Sequence, residues 1–211
     1  PGSTRVFVIA NQKGGVGKTT TAVNIAAALA RGGLRVLVID LDPQGNASTA
    51  LGVAHRPENT SIYEVLLGDH TMHEAMQQST DHENLFCVPS TINLAGAEIE
   101  LVSLVAREQR LRTALEGFLQ ESEREFHYVF IDCPPSLGLL TVNAFVAAQE
   151  VLIPIQCEYY ALEGLSQLLG NIQLIQKHLN PALRVSTILL TMYDARTNLA
   201  HEVAAEVRRR T

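Results

Sequence analysis

Apolar residues in this chain fall into two rhythms. Short, nearly continuous runs are rich in Val and Ile: RVFVIA (5–10), RVLVID (35–40), LFCVPS (85–90), YVFIDC (128–133), EVLIPIQ (150–156) and RVSTILLTM (184–192). Such runs predict strands covered on both faces. Between them, apolar positions recur at helical spacing over roughly 18–31, 61–67, 95–122, 138–147, 161–178 and 196–210. The alternation predicts βαβ units, hence an α/β fold with a mostly parallel, doubly wound sheet flanked by helices. In sheets of this kind ligands lie beyond the carboxyl ends of the strands. The stretch 53–60, VAHRPENT, reads as the principal loop. With no repeat, low-complexity segment or linker, residues 5–211 read as a single domain after a short tail, 1–4, in which Pro1-Gly2-Ser3 reads as an expression scar. The last helical pattern runs into EVRRRT with no strand after it, so the C-terminal end of the domain reads as incomplete.

Composition narrows the class. Hydrophobic residues make up 46% and charged residues 18% of 211, an ordinary globular balance. No apolar run reaches the roughly 18 residues of a membrane span, and no basic-then-apolar leader opens the chain. The expectation is a cytoplasmic protein. Cys87, Cys133 and Cys157 lack metal-type spacing and read as buried thiols in a reducing compartment. The net charge of −6 argues against a generally basic nucleic-acid binder but leaves room for a local patch.

The first strand runs into NQKGGVGKTTTAVNIAAALA, giving strand, glycine loop and helix. Gly14, Gly15 and Gly17 allow a tight turn whose N–H groups point inward. The helix that follows presents its positive end to an anion. Lys18 supplies a mobile charge for β- and γ-phosphates, and Thr19 a hydroxyl for Mg²⁺. The usual phosphate-loop pattern has glycine at position 12, where this chain has Gln12. Two further strand ends carry carboxylates. Asp40 and Asp42, spaced by two, lie on one face of a strand, and Asp132 closes an apolar run in YVFIDCPPS, the shape of a Walker B motif. A carboxylate in such a place can hold a magnesium-bound water or orient an attacking one. Asp40 reads either as metal support or as part of the fold.

The segment KGGVGKTT resembles the deviant Walker A motif of the ParA/MinD ATPases. The resemblance implies ATP and Mg²⁺ as cofactors, bound by the loop Lys13, Gly14, Gly15, Val16, Gly17, Lys18, Thr19 and Thr20. It implies that Lys13 reaches across a homodimer to the partner's nucleotide, much as an arginine finger stabilises transferring phosphate. Catalytic roles fall to Lys13, Lys18 and Asp42, and Mg²⁺ to Thr19, to Asp132 through water and, less strongly, to Asp40. DLDPQGNAS, LAGAEIEL, IDCPPSLGLLTVNA, QCEYYALEGLSQL and LTMYDARTNLA together look like the ParA/Soj chromosome-segregation branch.

That branch implies an ATP-dependent dimer that binds double-stranded DNA without sequence preference. A ParB-like partner stimulates its slow hydrolysis, and the protein is nucleoid-associated. Arg196 matches an arginine the family uses on DNA; Arg208, Arg209 and Arg210 form a further basic cluster that also suits a helix C-terminus. A MinD-like, membrane-associated ATPase is the alternative, and a nitrogenase-iron-protein-like reading lacks its cysteine loop.

Overall fold

The structure, a computed structural model, describes residues 3–210 apart from 12, 14, 16 and 159, and Arg210 without its side chain. Seven strands, β1 (Arg5–Ile9), β2 (Val36–Asp40), β3 (Gln77–Gln78), β4 (Leu85–Val88), β5 (Tyr128–Asp132), β6 (Glu150–Gln156) and β7 (Arg184–Thr191), form one sheet in the order β3-β4-β2-β5-β1-β6-β7. Every pairing is parallel except that of β3 with β4. The helices are α1 (Lys18–Arg31), α2 (Asn46–Ala50), α3 (Ile62–Leu67), α4 (Met72–Ala75), α5 (Ala97–Val102), α6 (Arg110–Glu121), α7 (Leu139–Ala147), α8 (Ala161–His178) and α9 (Asn198–Arg210).

The continuous apolar character of the strands has the expected cause. Val6, Val8, Leu37, Ile39, Val129, Ile131, Val151 and Ile153 face one core, shared with α3, α5, α6, α7, α8 and α9. Their neighbours Phe7, Ile9, Val36, Val38, Phe130 and Leu152 face a second core under α1 and α2. Helix α1 turns Ala22, Ala26, Ala27 and Ala30 to that core. Small side chains let it lie close against the sheet, holding the glycine loop at its N-terminus over the strand ends.

The helical pattern over 95–122 departs from expectation. A 3-10 turn at Ile92–Gly96 precedes α5, and a second, at Arg107–Gln109, leads into α6. The chain reverses at Ala106, which takes φ 52°. Buried Asn143 of α7 stabilises this break: its Oδ1 accepts Leu111 N–H at 3.1 Å, and its Nδ2 donates to Arg107 O at 2.8 Å and Leu139 O at 3.0 Å. Groups orphaned by ending one helix and starting another are thereby satisfied.

Candidate active site

Parallel register brings the chemistry together. Asp40 sits opposite Asp132 across β2 and β5, and Ile9 at the end of β1 sits opposite Asp132 on the other side. Gly17 caps α1 with φ 88° and Gly15 takes φ 73°, a region in which a side chain is strained. The loop therefore arrives over the carboxyl ends of β1, β2 and β5. Gln12, Gly14 and Val16 lie outside the described residues.

Lys18 is buried, with its Nζ 3.3 Å from Lys13 O. Burial pushes its pKa down, while Asp132 and then Asp42 pull it back up. Thr19 Oγ1 donates to Asp132 Oδ2 at 2.7 Å. The other oxygen, Asp132 Oδ1, is buried and has no hydrogen-bond partner among the described residues. Burial, helped by Asp40 and Asp42, raises the Asp132 pKa to about 7 against the Thr19 bond and Lys18. The site thus sets Asp132 and Asp42 by one buried lysine, with Asp40 acting on Asp132, an arrangement that favours a further cation. Among the described residues no group of three or more His, Cys, Asp or Glu has the geometry of a metal cage. Mg²⁺ characteristically takes one or two protein oxygens and completes its shell with phosphate and water. Thr19 and the orphaned Asp132 oxygen fit that donor set.

Asp42 is half-buried at the start of a turn: Gly45 N–H donates to Asp42 O and Gln44 N–H to Asp42 Oδ1, both at 2.9 Å. Asp40, read in the sequence as metal support or as part of the fold, is engaged with the protein. It is fully buried and both oxygens already accept protein donors: Asp42 N–H to Oδ1 at 3.2 Å, and Ser48 N–H (2.9 Å) and Oγ–H (2.6 Å) to Oδ2. Burial raises its pKa to about 6 despite those bonds. Its contacts assign it to the fold of the loop.

Lys13 lies in the exposed part of the loop. Its N–H donates to Asn11 Oδ1 at 3.0 Å, and Asn11 Nδ2 to Pro154 O at 2.6 Å. Its ammonium pairs with Glu158 of the same chain. Sequence reasoning passed over Asn11, Ser48 and Glu158, although each lies inside a quoted motif. It also passed over Glu98 of LAGAEIEL, whose Oε1 accepts Leu140 N–H at 3.3 Å at the start of α7. A Cβ on Gly138 would fall 1.9 Å from that oxygen, so a larger residue there would push the Glu98 carboxylate aside. The loop after Asp132 is fixed at its far end by this contact. Thr20 is exposed in the first turn of α1.

The proposed DNA contacts lie elsewhere. Arg196 is exposed and forms a two-pronged pair with Asp194, Nε to Oδ1 and NH2 to Oδ2, each 2.9 Å. Arg209 pairs with Glu206 at 2.6 Å. Arg208 and Arg184 line a groove of about 670 Å³ between α8, β7 and α9, remote from Lys18 in the fold. The Arg210 side chain lies outside the described residues. Cys87 and Cys133 are buried free thiols and Cys157 a half-buried one.

A glycine loop feeding α1, a lysine and threonine at its start, and an aspartate at a neighbouring strand end define a P-loop nucleotide hydrolase. The AAA-domain family profile matches residues 4–185. The sporulation initiation inhibitor protein Soj of Bacillus subtilis is 53% identical over 97% of this chain and 79% of its own length. The chromosome partitioning protein ParA of Myxococcus xanthus is 54% identical over 97% of this chain and 70% of its own. A cobyrinic acid a,c-diamide synthase from Mycobacterium smegmatis, solved with an ATP analogue and magnesium, superimposes with a TM-score of 0.89. It is 43% identical, over 99% of this chain and 83% of that one. The chain belongs to the ParA/Soj family of P-loop ATPases, and its enzymatic activity is ATP hydrolysis.

Proposed function

We propose that this chain is a DNA-segregation switch that binds ATP and Mg²⁺, closes into a homodimer around two nucleotides, and holds non-specific double-stranded DNA in that state. A ParB-like partner then stimulates slow hydrolysis and release. The segregation role is supported by likeness to relatives named for chromosome partitioning. The nucleotide chemistry is carried by one observation: the buried Asp132 Oδ1, without a hydrogen-bond partner among the described residues, beside the Thr19 hydroxyl and Lys18.

The residues divide the work. Lys18 gives up its contact with Lys13 O to neutralise β- and γ-phosphate oxygens. Thr19 and Asp132 would hold Mg²⁺, Asp132 through water, and the metal would supply neutralisation of the charge developing on the phosphates. The Asp42 carboxylate, on the adjacent turn, orients the attacking water and accepts its proton. Lys13 exchanges Glu158 for the partner's phosphate, which ties hydrolysis to dimerisation. Arg196, with lesser help from Arg208 to Arg210, contacts DNA phosphates. Pairing two protomers doubles those contacts, so weak binding strengthens only with ATP present.

The test is molar mass by light scattering with ADP and with a non-hydrolysable ATP analogue, alongside DNA retention. The expected result is a monomer with ADP and a DNA-retained dimer with the analogue. Equal mass and equal retention in both nucleotides would sink the switch.

A further inference from the structure

Asp40 is an acidic residue fully buried at the end of β2. Its contacts point back at Asp42. One oxygen accepts the Asp42 N–H, and the other takes both the N–H and the hydroxyl of Ser48, in α2 beyond the turn. Ser48 is itself fully buried, and its Oγ accepts Ser90 N–H at 3.1 Å. Thus Asp40 grips the turn 42–45 at both ends, and Ser48 pins it to the chain leaving β4.

The outer side of the same turn is held separately. Gly45 takes φ 66°, and a Cβ there would fall 2.9 Å from His55 Nδ1. Thr49 Oγ1 lies 3.1 Å from Gly45 O and 3.0 Å from His55 Nε2. A turn tied on two sides has little freedom to wander. For a carboxylate that must aim at an attacking water this matters, because a misplacement of about 1 Å can cost on the order of 100-fold in rate.

We propose that Asp40 and Ser48 are positioning residues for hydrolysis: the buried Asp40–Ser48 bond fixes the 42–45 turn so that the Asp42 carboxylate is held ready. This rests on the reading of Asp42 as the group that orients water. Charge is used because an ionised carboxylate accepts several donors at once, and charge-assisted bonds are the shorter and stronger ones. The 2.6 Å contact with Ser48 Oγ is of that length. An asparagine at position 40 has one acceptor oxygen: with it facing Ser48 the N–H₂ meets the Asp42 N–H, and with it facing Asp42 the N–H₂ meets both donors of Ser48, so at least one bond must break.

The experiment uses the full chain, with ATP turnover and the affinity for a non-hydrolysable ATP analogue measured separately across a Mg²⁺ titration. Ser48→Ala removes the hydroxyl bond to Asp40 together with the acceptor of Ser90 N–H, and Ser48→Thr restores a hydroxyl for both. Ser48→Ala should lower kcat by about tenfold and Asp40→Asn by about 100-fold, on the scale that misplacement of a reacting group sets. Affinity for the analogue and the Mg²⁺ midpoint should stay within about twofold of wild type, and Ser48→Thr should recover most of the rate. Unchanged kcat in Ser48→Ala overturns the proposal. So does a shifted Mg²⁺ midpoint in Asp40→Asn, which would return Asp40 to the metal. Should Asp40→Asn fail to fold, the Ser48 pair decides. Asp42→Ala is run beside them. Wild-type turnover in Asp42→Ala removes the underlying reading of Asp42; loss there with a normal Ser48→Ala removes only the positioning role.

Discussion

Two lysines five positions apart in one loop have opposite surroundings, and that contrast separates their roles at the residue scale. Lys18 is 7% exposed and feels Asp132 and Asp42. The Lys13 side chain is 49% exposed and pairs with Glu158 at the rim. In the proposed switch, Lys18 serves the phosphates of its own protomer and Lys13 those of the partner. Lys18→Ala should therefore weaken nucleotide binding by about 100-fold, which corresponds to the roughly 3 kcal/mol of a strong charge-assisted contact. Lys13→Ala should bind nucleotide normally yet stay monomeric and fail to hydrolyse. Calorimetry with a non-hydrolysable analogue, together with light scattering, checks both. Lost nucleotide affinity in Lys13→Ala would place that lysine on its own phosphates and end the cross-dimer role. The glycine loop, Asp42 and Asp132 were legible in the sequence because their chemistry is bound to short motifs at strand ends. The occupation of Asp40 by Ser48 was not, because the two side chains meet only when the 42–45 turn folds back.

At the scale of elements, six strands and the long helices were legible because buried parallel strands are written as apolar runs and helices as periodic ones. The two-residue β3 and the short α2 and α4 carry too few residues to show a period. The stretch 95–122 misled for another reason: its apolar spacing suits one long helix, but Asn143 from a distant helix makes a break there favourable. This gives a prediction at the same scale. Asn143→Ala leaves Leu111 N–H buried and Arg107 O half-buried without their partner, and a lost buried bond costs about 1–3 kcal/mol. The expected loss is about 2–4 kcal/mol in urea unfolding, with the denaturant slope unchanged. The folded fraction should bind nucleotide as wild type does, because Asn143 touches none of Lys18, Thr19 or Asp132. A loss below about 0.5 kcal/mol, the range of ordinary surface substitutions, would mean that the break at 103–109 is held by something other than Asn143.

At the scale of the whole molecule, the proposed DNA binding by a chain of net charge −6 would have to run through a few local cations. Arg196 is the test. Its guanidinium and Asp194 are both exposed, and each holds the other in its charged form: the bond raises the arginine pKa and lowers that of the aspartate. A pair so open to solvent is weak and readily exchanged. A DNA phosphate offers the same two-oxygen geometry as the carboxylate with no acid left facing the DNA, so Asp194 competes with the polymer for Arg196. Two substitutions should then move DNA retention in opposite directions. Arg196→Ala removes one phosphate contact per protomer, two per dimer, and should flatten the slope of log affinity against log salt by about 1.8. Asp194→Ala frees the guanidinium and removes a repelling charge, so retention should rise, most clearly at low salt where screening is least. Dimer formation and nucleotide affinity should be untouched in both, since the hydrogen bonds of these two side chains run to each other. The measurement is retention of the ATP-bound dimer on DNA of unrelated sequences at several salt concentrations. All sequences should respond alike, because a phosphate contact carries no base information. If Asp194→Ala weakens retention as Arg196→Ala does, the pair acts as a brace for the loop before α9, and the DNA-facing charge lies on another surface.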